Sequence, residues 1–329
     1  MNKFTDEPNF TLEELIKAIR ILKTGRAAGP DQTIAEMFKA SPLFVLERIL
    51  KVMNSIKVSL QFPEKWAEGI TSLIHKDGDD DDPNNYRAIT VTSALAKILA
   101  ILVNERLDAW ATETSIQRKE QIGFTKKCRP SDHLFVLKTL INSYNGQNKK
   151  LYTCFVDFQK AFDSVWREAL FYKLIKSGMN IGYIKLIKVM YEKTKQSLKL
   201  NGGLTRSFRT GRGVKQGCIL SPRLFNLFLN DLPEIFDDEC SPVSLGNDLK
   251  ISCLLYADDL VLLSESPEGL QKCLDRLSEY TEKWDLKINL SKTKILVFKN
   301  NGGKMLETLN FLLVDTRLRN QKCINILGQ

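Results

Sequence analysis

The chain has 329 residues, 43% of them hydrophobic and 26% charged, with 48 Lys+Arg against 39 Asp+Glu and a net charge of +9. These proportions exclude a disordered or fibrous chain and supply apolar residues enough for one large core or two subdomains, while the basic balance suits a polyanionic partner such as nucleic acid. Seven scattered cysteines without a Cys-x-x-Cys pair suggest neither a disulfide framework nor a zinc site, and the chain reads as intracellular and reduced.

Residues 1–7 lack the apolar core of a signal peptide. From Thr11, a plausible N-cap, Leu12, Leu15, Ile16, Ile19 and Leu22 recur at helical spacing. Gly29-Pro30 breaks the pattern. A second helix is expected to begin near Asp31, and another near Ser41-Pro42 that runs to about Val58. Residues 75–85 are polar, acidic and turn-rich, an exposed loop. Helices are predicted over Ala94–Trp110 and Ser131–Tyr144. The most apolar stretch, Ala94–Val103, is interrupted by Lys97 and too short to span a bilayer, so no membrane segment is expected. Residues 1–150 read as one mostly helical subdomain.

The pattern then changes. Leu151–Val156 is a short β-rich apolar run ending in Asp157, and it opens a second subdomain over 151–329. Helices are expected over 164–177 and 181–193, and strands near 196–201 and 205–210. A Gly-rich loop, 211–217, precedes a helix with Ser221 as N-cap and Pro222 at its first position. Two apolar strands, 251–256 and 260–263, flank Asp258 and Asp259. Ser266-Pro267 opens a helix with Leu270, Leu274, Leu277, Tyr280 and Trp284 on one face, and short strands follow at 286–290 and 294–298. Interleaved strands and helices imply an α+β sheet with helices packed on one face.

Carboxylates beside buried strands are costly unless paired or bound to metal. Asp258-Asp259 alone is equally well read as a hairpin turn. If the two strands are neighbours, however, Asp157 and Asp258 converge. Hard oxygen donors at one point suit Mg²⁺, and two such ions can activate an attacking 3′ oxygen and stabilise leaving pyrophosphate.

Three motifs now carry a resemblance. Tyr256-Ala257-Asp258-Asp259 resembles the Tyr/Phe-x-Asp-Asp hairpin of reverse transcriptases, Val156–Asp163 resembles their first palm motif, and Gly213–Pro222 resembles the loop and helix between them. Their order and spacing are similar to the non-LTR (LINE-type) retrotransposon family. The resemblance implies a right-hand polymerase with fingers over 1–150 and a palm over 151–329, the palm a ferredoxin-like sheet and helices within about 164–195 contributing to the fingers. It implies an RNA-directed DNA polymerase extending a DNA primer on an RNA template with dNTPs, using two Mg²⁺ ions or Mn²⁺ in their place.

By the same similarity Asp157 and Asp258 bind both metals and Asp259 assists. Phe162 lies beneath the sugar and clashes with a 2′-hydroxyl, although a Phe there is equally a core residue. Gln216 and Gly217 contact nucleotide and template. Lys292 approaches pyrophosphate as a proton donor, or is a solvated surface lysine. Asp163 is expected to cap the following helix. Residues 23–31, 85–90 and 121–132 resemble the family's three fingers motifs, which makes Arg87 a candidate triphosphate or template contact. Thr125 stands where the family usually has Arg, leaving Lys126 or Arg129 to take over. Cys323–Gly328 is similar to the start of a primer-grip hairpin. The thumb and endonuclease are expected from the full-length element, and a nuclear location is expected if the chain acts on the genome. Two alternatives remain open: a catalytically inactive remnant that only binds nucleic acid, and an RNA-dependent RNA polymerase, against which Phe162 argues.

Overall fold

The computed structural model describes residues 8–299, apart from 77, 202, 216, 237, 247 and 248, together with 310–313 and 316–319. In chain order the helices are α1 (Leu12–Ile21), α2 (Ala35–Lys39), α3 (Leu43–Ser59), α4 (Glu64–Ala67), α5 (Ala94–Glu113), α6 (Pro130–Gly146), α7 (Ala161–Ser164), α8 (Arg167–Lys176), α9 (Ile181–Glu192), α10 (Ser221–Phe228) and α11 (Pro267–Lys283). The strands are β1 (Glu68–His75), β2 (Tyr86–Thr92), β3 (Leu151–Val156), β4 (Lys195–Leu200), β5 (Gly203–Leu204), β6 (Phe208–Arg209), β7 (Val243–Leu245), β8 (Leu249–Ile251), β9 (Cys253–Tyr256), β10 (Asp259–Ser264), β11 (Lys294–Phe298), β12 (Asn310–Leu313) and β13 (Thr316–Arg319). No helix among the described residues is long and apolar enough to cross a membrane.

The chain forms two compact units, each discontinuous in sequence: Met1–Ile116 with Arg167–Leu224, and Gln117–Trp166 with Phe225–Gln329. It passes between them near 116, 166 and 224, whereas composition alone suggests one division near 150.

In the first unit β1 pairs antiparallel with β2 and parallel with β4, and β4 also holds the short β5 and β6. Thr71, buried on β1, ties the sheet internally through Thr90 Oγ1 at 2.9 Å and Gln196 Oε1 at 3.2 Å. Thr11 caps α1 as its sequence predicts, in a reciprocal box with Glu14. The expected helix at Asp31 begins instead at Ala35. The Asp31 carboxylate accepts from the Thr33 amide at 3.3 Å and from the hydroxyl of Ser93, the N-cap of α5, at 2.5 Å. Gly29 allows this approach, since a methyl there would lie 2.7 Å from the Ser93 nitrogen. Ser221 is likewise not a cap: it is the first residue of α10, and its hydroxyl lies 3.1 Å from that of Tyr191.

In the second unit the strand order is β11-β3-β10-β9, all neighbours antiparallel. Alternation splits the sheet into two faces. One carries Tyr152, Cys154, Val156, Leu260, Leu262, Cys253, Leu255, Ile295 and Val297, all but Ile295 and Val297 on the three strands around the acids and all buried. Helix α11, with Ser266 capping the Gly269 amide at 3.0 Å, lays Leu270, Cys273, Leu274 and Leu277 into the core beside it. The helices are not confined to that face. On the other, Leu140, Ile141 and Tyr144 of α6 pack with Leu151, Leu254, Leu263 and Phe298. An apolar β3 that is buried on both sides needs cover on both.

Two further expectations change. Residues 286–290 form no strand; they run beside 157–159, joined by the single bridge Phe158–Ile288. The helix expected over 164–177 forms as α8, but a separate short α7 precedes it, ending where Val165 turns to an extended ψ of 120°, and Asp163 lies inside α7 rather than capping α8.

Candidate active site

The site is built at the end of the second unit's sheet. β3 runs through four consecutive buried residues to a half-buried Phe155 and a buried Val156, and ends at Asp157. Leu260 pairs with Val156, so the antiparallel register sets Asp259 across from Asp157 on the neighbouring strand. Tyr256 pairs with Asp259, which makes Ala257 and Asp258 a two-residue hairpin loop. Asp157 and Asp259 share a sheet face, the one that α6 covers at its far end. Near the acids that face is open: Phe155, Val261, Asp157 and Asp258 are half-buried and Asp259 is exposed.

The electrostatics follow. Partial burial, and then the negative charge of Asp157, hold the Asp259 carboxyl above the usual carboxylate range. Among the described residues no three His, Cys, Asp or Glu side chains stand close enough together to hold a metal ion by themselves. A carboxyl held up by a neighbouring carboxylate nevertheless fits the hard oxygen donor set of a divalent cation, whose charge would relieve that repulsion.

The segment after α11 returns to the same place. The Asn289 amide donates to the Asp157 carbonyl at 2.7 Å, the Asp157 amide to Thr293 Oγ1 at 3.3 Å, and the Gln159 amide to the Lys287 carbonyl at 2.8 Å. Lys292 sits exposed in the turn between these contacts, its amide bonded to the Asn289 carbonyl at 3.2 Å. Its neighbours Asn289 and Thr293 thus tie this turn to the backbone of Asp157.

Phe162, half-buried, stacks on the fully buried Phe225 with ring centres 4.6 Å apart and planes at 13°. Phe124 meets it edge-on at 6.3 Å. The ring therefore has a flat support behind it, an offset-stacked geometry that fixes its orientation. The sequence offers no signal for Phe225, which lies 63 positions on, beyond its being apolar.

The remaining candidates divide between the units. Arg87 is exposed on β2 opposite Ile74, and Gly217 has φ 94° with space for a methyl only 3.5 Å from the Thr90 carbonyl; both belong to the first unit. Lys126 and Arg129 belong to the second and are exposed, Arg129 at the N-terminus of α6 with its amide on Asp132 Oδ2 at 2.8 Å. Gln216 and residues 323–328 lie outside the described residues. Thr125 turns inward, its hydroxyl 2.5 Å from Gln117 Nε2 and 3.3 Å from the Gly123 carbonyl. Sequence reasoning missed Gln121, buried and bonded to the backbone of Ala257 on both sides.

The sequence pattern described as "Reverse transcriptase (RNA-dependent DNA polymerase)" matches residues 74–329. The RNA-directed DNA polymerase from mobile element jockey of Drosophila melanogaster is 27% identical over 89% of this chain and 32% of its own length. The Pol polyprotein of retrotransposable element R2 from Popillia japonica is 31% identical over 78% of this chain and 36% of its own. The chain thus spans about a third of the length of these relatives. A solved structure of apo telomerase from Candida tropicalis, truncated from its C-terminal domain, superposes with a TM-score of 0.53 at 14% identity, covering 78% of this chain and 56% of that one, and so shares the α+β fold. With the opposed acids at the sheet end and a pattern match that runs from β1 onward, the chain belongs to the reverse transcriptase family, of the kind found in non-LTR retrotransposons.

Proposed function

We propose that this chain is the fingers-and-palm portion of an RNA-directed DNA polymerase that extends a DNA primer on an RNA template by two-metal nucleotidyl transfer. The observation that carries the reading is the register setting Asp157 against Asp259, with Asp258 in the loop between β9 and β10. The second unit would be the palm and the first the fingers, with α8 and α9 contributed by the later sequence.

Asp157, Asp258 and Asp259 would hold Mg²⁺, or Mn²⁺ in its place. Bound there, the ions supply Lewis acidity to the primer 3′ oxygen and to the departing pyrophosphate. The chain's own groups do the rest. The supported Phe162 ring excludes a 2′-hydroxyl and so selects dNTPs. Lys292, an ammonium in the turn beside Asp157, gives a proton to the leaving phosphate oxygen. Arg87, Lys126 and Arg129 offer cations to triphosphate and template phosphates, Arg with a fork that binds two oxygens, and Gln216 and Gly217 line the nucleotide.

Purified protein is expected to add dNTPs to a primer on an RNA template in Mg²⁺, and Asp258→Asn to reduce the addition to background with an unchanged circular dichroism spectrum. Equal extension by Asp258→Asn overturns the assignment. A second reading, a remnant that binds nucleic acid without copying it, draws on Thr125, whose hydroxyl is engaged inward where the family's Arg would present a cation. Salt-sensitive RNA binding with no extension in Mg²⁺ or Mn²⁺ selects it.

A further inference from the structure

We propose that Gln121 is a positioning residue for the hairpin that carries Asp258 and Asp259, an inference that rests on reading those acids as the metal-holding groups. Gln121 is 2% exposed. Its Oε1 accepts from the Ala257 amide at 2.9 Å and from the Gly123 amide at 2.9 Å, and its Nε2 donates to the Ala257 carbonyl at 3.0 Å. One carboxamide therefore holds both backbone polar groups of the first loop residue.

That residue needs holding. Ala257 has φ 57°, in the left-handed region where a side chain with a Cβ is disfavoured and where two-residue hairpins ordinarily use Gly, Asn or Asp. It is also 4% exposed, so its N–H and C=O have little access to water and require protein partners. Gln121 supplies both, and an orphaned pair of groups is the alternative.

The clamp is itself fixed. Gln121 bridges Leu255 in parallel, with the Leu255 amide on the Glu120 carbonyl at 2.8 Å and the Ile122 amide on the Leu255 carbonyl at 3.0 Å. Residues 120–122 thus line the outer edge of β9. His133 Nε2 lies 3.0 Å from both the Glu120 and the Leu255 carbonyl. Gly123 comes so close that a methyl on it would overlap the Ala257 amide nitrogen, and its carbonyl is held by Asn226 Nδ2 at 2.6 Å. With Ala257 pinned on both sides, the direction in which Asp258 leaves the loop is set by a segment 136 positions earlier.

The chemistry of the carboxamide gives a specific test. Gln121→Met keeps the length and removes every hydrogen bond. Gln121→Glu, when ionised, accepts from the two amides but presents an acceptor to the Ala257 carbonyl; protonated, it donates there and restores the set. In the whole chain, Gln121→Met is expected to lose amide-exchange protection at Ala257. Its kcat for primer extension should fall and its Mg²⁺ requirement rise by about 10- to 100-fold, the usual effect of removing a residue that orients metal ligands, with the KM for dNTP little changed. Gln121→Glu should behave like Gln121→Met at pH 8.5 and recover toward wild type as the pH falls to 6 (assay values on the order of those at which a buried carboxyl titrates).

Unchanged protection at Ala257 in a folded Gln121→Met, or wild-type kcat and Mg²⁺ requirement, overturns the proposal. If Gln121→Met does not fold, the pH profile of Gln121→Glu decides, and a flat deficit overturns it. If the wild-type chain extends no primer, the polymerase reading fails, while the exchange measurement at Ala257 still tests the clamp.

Discussion

Arg167 offers the largest single perturbation in the first unit. Its side chain is buried and its guanidinium donates from Nε to the Gly213 carbonyl at 2.8 Å, from Nη1 to the Tyr191 and Thr210 carbonyls at 3.0 and 2.7 Å, and from Nη2 to the Arg212 carbonyl at 3.1 Å. It also lies 5.2 Å from the centre of the Tyr191 ring. Carbonyl dipoles solvate the cation, so a single side chain gathers the turn at 210–213 and ties it to the end of α9. Arg167→Met keeps the apolar stem and removes the four bonds. Hydrogen bonds to a charged group contribute about 1.5–3 kcal/mol each, but the sum overstates the loss because the cation's own desolvation cost disappears with it. The Arg212 backbone, next to exposed side chains, can also turn to water. A net loss of about 2–4 kcal/mol is expected: no charge is left behind, and the cost lies in buried carbonyls that lose their donor, about 1–3 kcal/mol each, offset by the desolvation the cation no longer suffers. Arg167→Lys, a point charge without the fork, should lose about 1–3 kcal/mol. Urea unfolding read through Trp66 and Trp110, both in the same unit, measures this as a midpoint shift. Trypsin should also cut faster after Arg212. An Arg167→Met variant within about 0.5 kcal/mol of wild type would refute the reasoning.

The other predictions are local. Asp259 ionises against burial and the Asp157 charge, so its folded value lies above its ordinary 3.8 and its charge destabilises the fold at neutral pH. Asp259→Asn should therefore raise the melting temperature at pH 7 without divalent ions; the advantage should fade as pH drops through the raised value and vanish below about 3.8, and a pH-independent difference would contradict it. Phe225→Leu removes the flat support of Phe162, an aromatic pair contributing about 0.5–1.5 kcal/mol, so ribonucleotide incorporation relative to dNTP should rise by about 2- to 10-fold in a competition assay. Ser93→Ala removes the cap of α5, to which the Leu95 and Ala96 amides donate at 3.2 and 3.4 Å, and should cost about 1–2 kcal/mol in urea unfolding.

What was legible in the sequence is what short-range patterns encode. Thr11 before α1, Ser266-Pro267 before α11, the apolar run ending in Asp157 and the two strands about Asp258 all involve neighbours within a few positions, and the elements form there. What was not legible depends on partners far away. Asp31 reads as a helix start until Ser93, 62 positions on, takes its carboxylate. Residues 286–290 alternate like a strand, but only one bridge forms, because the backbone beside Asp157 accepts them as a loop. The cover that α6 gives to the second sheet face leaves no clear alternation in β3, where Thr153 is the one aliphatic hydroxyl among apolar and aromatic residues, and the passages between units near 116 and 166 fall where composition does not change. Gln121 stands in a quoted motif, yet its polar type suggests solvent until the buried Ala257 appears opposite it.

The end of the β3–β10–β9 sheet breaks two local rules at once. Like charges face each other at Asp157 and Asp259, and an alanine occupies a backbone region suited to glycine at Ala257. Neither feature stabilises the fold. A hairpin free to relax would let Ala257 leave the left-handed region. Here the buried face beneath the strands and the edge contact from 120–123 hold the loop in place. If Asp157, Asp258 and Asp259 are the cation-holding groups proposed above, such an arrangement suits a preorganised site, because an ion bound there would relieve the repulsion between Asp157 and Asp259. Removing the clamp should therefore lower metal affinity more than it lowers stability, which is the reverse of what loss of an ordinary core contact does.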